Sequence, residues 1–185
     1  MMQLWFRQIP NILTTLRLLL AVPIALLITQ QQFSAVLWLA FVAGVSDGLD
    51  GWLARKWHCQ SRYGAVVDPL SDKAMLVGAY LSFAVIGLIP WWLAWLVLGR
   101  DVLIVVGALA YHGLFGRYEM APSIWGKAST LVQISFALLL IAAQVWPVGP
   151  PSLLLPGLWL LVGLAVISGG HYLLLWGGKA WLQHR

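Results

Sequence analysis

Six apolar runs divide the chain, at 12–29, 35–54, 72–89, 91–113, 127–146 and 153–176. Each has the length of about 18 residues or more that a helix needs to cross a hydrocarbon core. Polar residues gather between the runs. The pattern predicts an all-α polytopic membrane protein with six transmembrane helices, organised as a single transmembrane domain over residues 1–185. The first run does not read as a cleaved leader: it carries Arg17, lacks a small-residue cleavage site and precedes five further runs. No internal repeat, linker or low-complexity segment is evident.

Composition agrees. With 61% of residues hydrophobic and 9% charged, the chain carries more apolar surface than a soluble domain of this size can bury. Charge then sets orientation. Arg7 precedes helix 1; Arg55, Lys56, Arg62 and Lys73 lie around the connection from helix 2 to helix 3; Arg117 and Lys127 lie between helices 4 and 5; Lys179 and Arg185 follow helix 6. The opposite connections, TQQQF at 29–33, IP at 89–90 and PVGPPS at 147–152, hold no charge. The asymmetry places both termini in the cytoplasm. The sequence pI near 9.7 therefore reflects topology and contact with anionic lipid heads, and no nucleic-acid partner is expected. Tryptophans near the run ends, among them Trp5, Trp91, Trp92, Trp146, Trp176 and Trp181, read as an interfacial belt. Cys59 and His58 form neither a disulfide nor a metal site on their own.

The acids change the picture. The stretch 46–73 reads SDGLDGWLARKWHCQSRYGAVVDPLSDK, and it holds Asp47, Asp50, Asp68 and Asp72. Only Asp101 and Glu119 remain elsewhere. Asp47 and Asp50 are i,i+3 at the end of helix 2, and Asp68 and Asp72 are i,i+4 at the expected start of helix 3. Two antiparallel helices joined by a short polar hairpin can bring all four carboxylates to one point. Unanswered, those charges would repel one another, so a cation is expected among them. Oxygen-only ligands favour a hard ion, Mg²⁺ or Mn²⁺, and four carboxylates are enough for two ions. Mg²⁺ held by carboxylates commonly also holds substrate phosphates. Gly48, Gly51 and Gly64, with the small Ala54, let a bulky ligand lie against helix backbone. Close helix packing is the plainer reading of such residues. Helix-terminal charge is the plainer reading of Asp68 and Asp72, though it leaves Asp47 and Asp50 unexplained.

Written out, the stretch is D-x2-D-G-x2-A-R-x8-G-x3-D-x3-D, with Asp47, Asp50, Gly51, Ala54, Arg55, Gly64, Asp68 and Asp72 in place. This resembles the signature of the CDP-alcohol phosphatidyltransferases at every position. IPNILTTLRLLLAVP at 9–23, GRDVLI at 99–104 and GKASTLVQ at 126–133 look like further segments of the family's glycerophospholipid-making branch. The resemblance implies a six-helix fold, a homodimer, and transfer of a phosphatidyl group from CDP-diacylglycerol to an alcohol with release of CMP. It implies that Asp47, Asp50 and Asp68 are metal ligands, and that Asp72 is the general base and also touches the second ion. It further implies that Gly51, Ala54, Arg55 and Gly64 line the CDP pocket, which Asn11 and Thr14 also reach. A bacterial cytoplasmic membrane is the implied location, with the active site facing the cytoplasm. In-line transfer without a covalent enzyme intermediate is expected, because no supported Ser, Cys or His nucleophile lies near the motif.

The acceptor is read from the cations. Arg100 and Asp101 lie well inside the run 91–113, and an ionisable residue there is a functional candidate. Adjacent helix residues do not face each other, so Arg100 is expected to face the cavity and, with Lys127 and Arg117, to bind an acceptor phosphate. Glycerol 3-phosphate, the commoner bacterial acceptor, is taken first, and phosphatidylglycerol is the alternative. Two departures favour the alternative. Ala110 and Tyr111 stand where family members using glycerol 3-phosphate carry a further arginine, and Lys127-Ala128-Ser129-Thr130 replaces their GK-x-K-T pattern. His112, His171 and His184 read as an interfacial, a packing and a tail residue. A small membrane transporter is the rival class, but the acids gather at one membrane face instead of forming a path across it.

Overall fold

The structure, a computed structural model, describes residues 2–56, 62–115, 123–146 and 151–183, with side chains described for 15–16, 18–46, 48, 71–107, 123–146 and 152–174. Among the described residues it is all helical. Six α-helices follow in order: α1 Met2–Thr29, α2 Phe33–Lys56, α3 Arg62–Val85, α4 Trp91–Phe115, α5 Ile124–Val145 and α6 Leu155–Gln183, the last preceded by a 3₁₀ turn at Pro151–Leu154. Two stretches, Ile124–Val145 and Ser152–Leu174, are long and apolar enough to cross a membrane. Only 33% and 17% of those windows are buried, which is unlike the core helix of a soluble protein. Large apolar side chains such as Leu19, Trp38, Phe41, Trp95, Leu131, Trp159 and Leu174 are exposed on the helix surfaces. Exposed apolar surface of this kind marks a membrane or protein-contact face.

Three boundaries differ from those expected from hydropathy. α1 begins at Met2 and not near 12, α6 continues to Gln183, and α3 begins at Arg62 and not near 72. In each case the added turns carry polar residues, which an apolar-run criterion passes over. The consequence matters most in α3. Gly64 lies in the helix and not in a hairpin. Asp68 and Asp72 lie beyond its first turn, where a helix dipole has little left to give them.

The chain forms two compact units: Met1–Ile89 with Ile141–Pro147, and Pro90–Leu140 with Val148–Arg185. In the first unit, α1 packs against both α2 and α3. Ala21, Ile24 and Ile28 recur at helical spacing on α1 and are buried, as are Val36 and Ala43 on α2 and Ala79, Tyr80, Phe83 and Ala84 on α3. Gly78 lets α1 and α3 approach closely: a Cβ there would lie 3.5 Å from Ala25 Cβ and 3.6 Å from the Ala21 carbonyl oxygen. One turn on, Ser82 Oγ donates to the Ala25 carbonyl at 3.1 Å.

In the second unit, α4 packs against α6, and α5 runs antiparallel to α6. Gly126 of α5 lies beside Tyr172, and Phe136 beside Gly157, so the sequence numbers run in opposite directions. Leu93, Ala94 and Val97, Phe136, Ala137 and Leu140, and Leu161 and Ala165 form its apolar core. Each stripe turns polar toward one end: Arg100 and Asp101 on α4, Gln133 and Ser129 on α5, and Ser168 on α6 are all buried.

Two helix ends in the first unit close with the same hydrogen-bond pattern on different residues. At the end of α1 the Gln31 N–H donates to Ile28 O and the Gln32 N–H to Leu27 O, with Gln31 at φ 58°. At the end of α3 the Gly87 N–H donates to Ala84 O and the Leu88 N–H to Phe83 O, with Gly87 at φ 76°. Both are Schellman closures, which need one left-handed residue. Glycine takes that conformation freely, whereas a residue with a Cβ is strained by about 1–2 kcal/mol. Gln31→Gly is therefore expected to raise stability by about 0.5–1 kcal/mol and Gly87→Ala to lower it by about 1 kcal/mol, measured by thermal unfolding in detergent. Equal effects of the two substitutions would contradict the assignment.

Candidate functional site

The helices turn the acidic motif into two stripes. On α2, Asp47, Asp50, Gly51, Ala54 and Arg55 fall at intervals of three and four residues along its closing turns. On α3, Gly64, Asp68 and Asp72 are spaced by four residues and follow one another along the opening turns. Five residues, 57–61, connect the two helices. Of this set, the side chain of Asp72 is described, and it is exposed, while its neighbour Ser71 is buried. The side chains of Asp47, Asp50, Ala54, Arg55 and Asp68 and the surroundings of Gly51 and Gly64 lie outside the described residues, as do the side chains of Asn11 and Thr14 on α1. Among the described residues there is no group of three or more potential metal-ligating side chains. The donor set still has a definite chemistry. Carboxylate oxygens alone, on two consecutive helices joined by a short connection, suit a hard divalent ion.

The acceptor residues divide differently. Arg117 and the side chain of His112 lie outside the described residues. Lys127 is exposed in the first turn of α5. Arg100 is not the unengaged cation expected from the sequence. It is 7% exposed, and its guanidinium is held on three sides. Nη1 donates to Asp101 Oδ1 in an ion pair. Nη2 donates to Ser168 Oγ at 2.7 Å and to the Gly126 carbonyl at 3.2 Å, and Nε donates to Ser168 Oγ at 3.2 Å. The objection to pairing neighbouring helix residues fails here because the arginine stem is long enough to carry its head back over the next residue. Burial supplies the drive, since a guanidinium withdrawn from water needs a counter-charge and filled donors.

The start of α5 is tied to the same place. Ser123 caps it: its Oγ accepts from the Gly126 N–H at 3.0 Å, and its carbonyl accepts from the Lys127 N–H at 3.1 Å. Tyr172 Oη accepts from the Ser123 N–H at 3.2 Å. Ser168 and Tyr172, one turn apart on α6, thus engage Arg100 and the α5 cap respectively. Nothing in the apolar runs marked these two residues. Their i,i+4 polar spacing on an otherwise apolar helix is the signal that could have done so. Beside them, His171 Nδ1 is buried without a partner, as is Ser129 Oγ on α5.

A model of the CDP-alcohol phosphatidyltransferase family matches residues 7–169. A probable CMP-forming cardiolipin synthase of Drosophila melanogaster is 34% identical over 177 residues, covering 86% of this chain and 54% of the relative. A CMP-forming cardiolipin synthase of Homo sapiens is 28% identical over 187 residues, covering 92% of this chain and 62% of the relative. A CDP-diacylglycerol–glycerol-3-phosphate 3-phosphatidyltransferase of Aquifex aeolicus is 32% identical over 135 residues, covering 71% of this chain and 74% of the relative. The chain therefore spans between half and two thirds of the length of the two cardiolipin synthases.

Removing one partner of a buried ion pair leaves the other charge stranded, at a cost of about 3–5 kcal/mol. Arg100→Met and Asp101→Leu are each expected to destabilise on that scale. The double substitution should cost much less than their sum, because neither charge then remains. A thermal-unfolding double-mutant cycle reads the coupling, and strict additivity would show that the pair is not held as described.

Proposed function

The chain belongs to the CDP-alcohol phosphatidyltransferase family, and on that footing we propose that it acts in phospholipid biosynthesis, transferring a phosphatidyl group from CDP-diacylglycerol to a glycerol-type alcohol and releasing CMP. The observation that carries this reading is the unbroken motif set out along the end of α2 and the start of α3. Asp47, Asp50, Asp68 and Asp72 would hold one or two Mg²⁺ or Mn²⁺ ions. When bound, such ions supply Lewis-acid neutralisation of the diphosphate. Arg55 adds a fixed guanidinium for the same phosphates. Gly51, Ala54 and Gly64 keep the helix surface low enough for the nucleotide, with Asn11 and Thr14 reaching it from α1. Asp72, exposed as a base that meets substrate must be, takes the proton from the acceptor hydroxyl as that oxygen attacks the lipid-side phosphorus. Asp72 is thus both base and outer ligand. Transfer is in line, with no covalent enzyme intermediate.

Lys127 and Arg117 bind the acceptor's phosphate group, with Arg100 acting from behind the start of α5. Of the two acceptors, phosphatidylglycerol is the better supported. Relatives named as cardiolipin synthases align over 86% and 92% of the chain, against 71% for the glycerol-3-phosphate enzyme. Ala110, Tyr111 and Ser129 also stand where further cations would serve a phosphomonoester. Glycerol 3-phosphate, ranked first on sequence alone, remains the second reading, carried by the Aquifex relative. The setting proposed is a bacterial cytoplasmic membrane, with six spans, both termini and the active site on the cytoplasmic side, and a homodimeric assembly. The one-sided placement of Lys and Arg supports that orientation.

An acceptor screen tests the proposal. Purified protein with Mg²⁺ or Mn²⁺ is given CDP-diacylglycerol with either phosphatidylglycerol or glycerol 3-phosphate, and CMP is followed. CMP release with phosphatidylglycerol is expected, falling by about 10²–10⁴-fold in Asp72→Asn. Release with glycerol 3-phosphate alone would replace the acceptor. Release undiminished in Asp72→Asn would remove the assigned base, and no release with either acceptor would overturn the acceptor class or the mechanism.

A further inference from the structure

We propose that Ser168 and Tyr172 are positioning residues: from one face of α6 they clamp the first turn of α5 and so fix where Lys127 presents its amine. The proposal rests on the reading that Lys127 meets the acceptor's phosphate group.

The clamp has two arms. Ser168, fully buried, receives both Nε and Nη2 of Arg100, which aims the guanidinium so that Nη2 also reaches the Gly126 carbonyl at 3.2 Å. One turn further along α6, Tyr172 Oη receives the Ser123 N–H at 3.2 Å. The two arms grip residues three apart, the cap of α5 and the last residue before Lys127. Backbone N–H groups in a first helical turn have no intrahelical acceptors, so what holds them helps decide where the turn sits. Here the cap side chain and a tyrosine hydroxyl accept from the Gly126 and Ser123 N–H groups, and the Arg100 guanidinium adds a further donor to the Gly126 carbonyl.

Gly126 completes the device by being small. A Cβ there would lie 3.2 Å from Tyr172 Oη, 3.3 Å from Ser123 Oγ and 3.5 Å from Arg100 Nη2, so both arms close on the space a side chain would fill. Lys127, the next residue, is exposed. An ammonium on a four-carbon stem has wide freedom, and fixing its Cα is the means left to the protein of narrowing where the charge arrives. Asp101 keeps the guanidinium charge from competing for the acceptor, since it already neutralises Arg100.

Three variants test the clamp from different sides: Ser168→Ala removes one arm, Tyr172→Phe removes the other, and Gly126→Ala wedges both without deleting a hydrogen-bonding group. Hydrogen exchange in detergent should show the peptide at the start of α5 exchanging severalfold faster in each, with the segments around Val97 and Leu161 unchanged. In the CMP assay, KM for the acceptor should rise about five- to tenfold while kcat and KM for CDP-diacylglycerol stay within about twofold. A purely structural role would lower kcat through loss of active protein and leave the acceptor KM alone. Unchanged exchange in all three variants overturns the clamp. Faster exchange with an unchanged acceptor KM overturns the positioning role. Lys127→Ala separates the remaining case: if it leaves the acceptor KM unaltered, the acceptor reading has failed and the kinetic half of the proposal falls with it, while exchange still decides whether the clamp exists.

Discussion

A guanidinium inside a bundle of apolar helices cannot be left to itself. Arg100 sits where α4 has already buried Leu93 and Val97, and at that point the cost of withdrawing a charge from water is high. The solution is local and complete enough to order its surroundings. Asp101 answers the charge, Ser168 takes two donors, and the Gly126 carbonyl takes another. Because these partners come from α4, α5 and α6, satisfying one side chain fixes three helices at one level. The apolar stripes beyond it can then pack by shape alone, with Phe136 lying over Gly157 where a Cβ would come within 3.2 Å of its ring.

The first unit solves the opposite problem. Its acids lie on the closing turns of α2 and the opening turns of α3, beyond the apolar parts of both helices. There, contact with water, and with the cation proposed for them, would offset their charge. The scaffold behind them is built from small residues. Gly78 and Ala25 bring α1 and α3 close, and the Ser82 hydroxyl finds a backbone carbonyl across the gap instead of remaining unsatisfied. Small residues in this unit therefore have two uses: at Gly78 they serve packing, and in the motif the proposed use is to leave room for a nucleotide.

The parts legible in the sequence were those that depend on period and composition. Apolar runs located six helices, and the motif spacing anticipated the two stripes that the helices produce. What was not legible depended on polar residues acting inside apolar elements. α3 starts at Arg62 because helix formation tolerates the charges and serine that a hydropathy criterion reads as loop. Its early start also moves Asp68 and Asp72 away from the dipole that had seemed to explain them. The Arg100–Asp101 pair was set aside because Cβ vectors of neighbouring residues diverge, an argument that holds for short side chains and fails for one whose charge is carried on a long stem. Ser168 and Tyr172 were invisible for a different reason. Single hydroxyls on an apolar helix carry no charge or motif, and only the fold brings a partner to them.

The engagement of Arg100 also bears on the acceptor proposed for the second unit. A phosphomonoester approaches two negative charges near neutral pH, whereas a phosphodiester carries one. A site for the former gains from each additional cation that is not already paired. Arg100 brings one guanidinium, but Asp101 returns one negative charge at the same spot, so the pair adds little net field. Lys127 stands exposed beside it. With Ala110, Tyr111 and Ser129 in place of further basic residues, the charge at the proposed acceptor site would suit a diester better than a monoester. That balance follows from how a buried arginine must be satisfied, and it is the physical ground of the proposal that phosphatidylglycerol is taken over glycerol 3-phosphate.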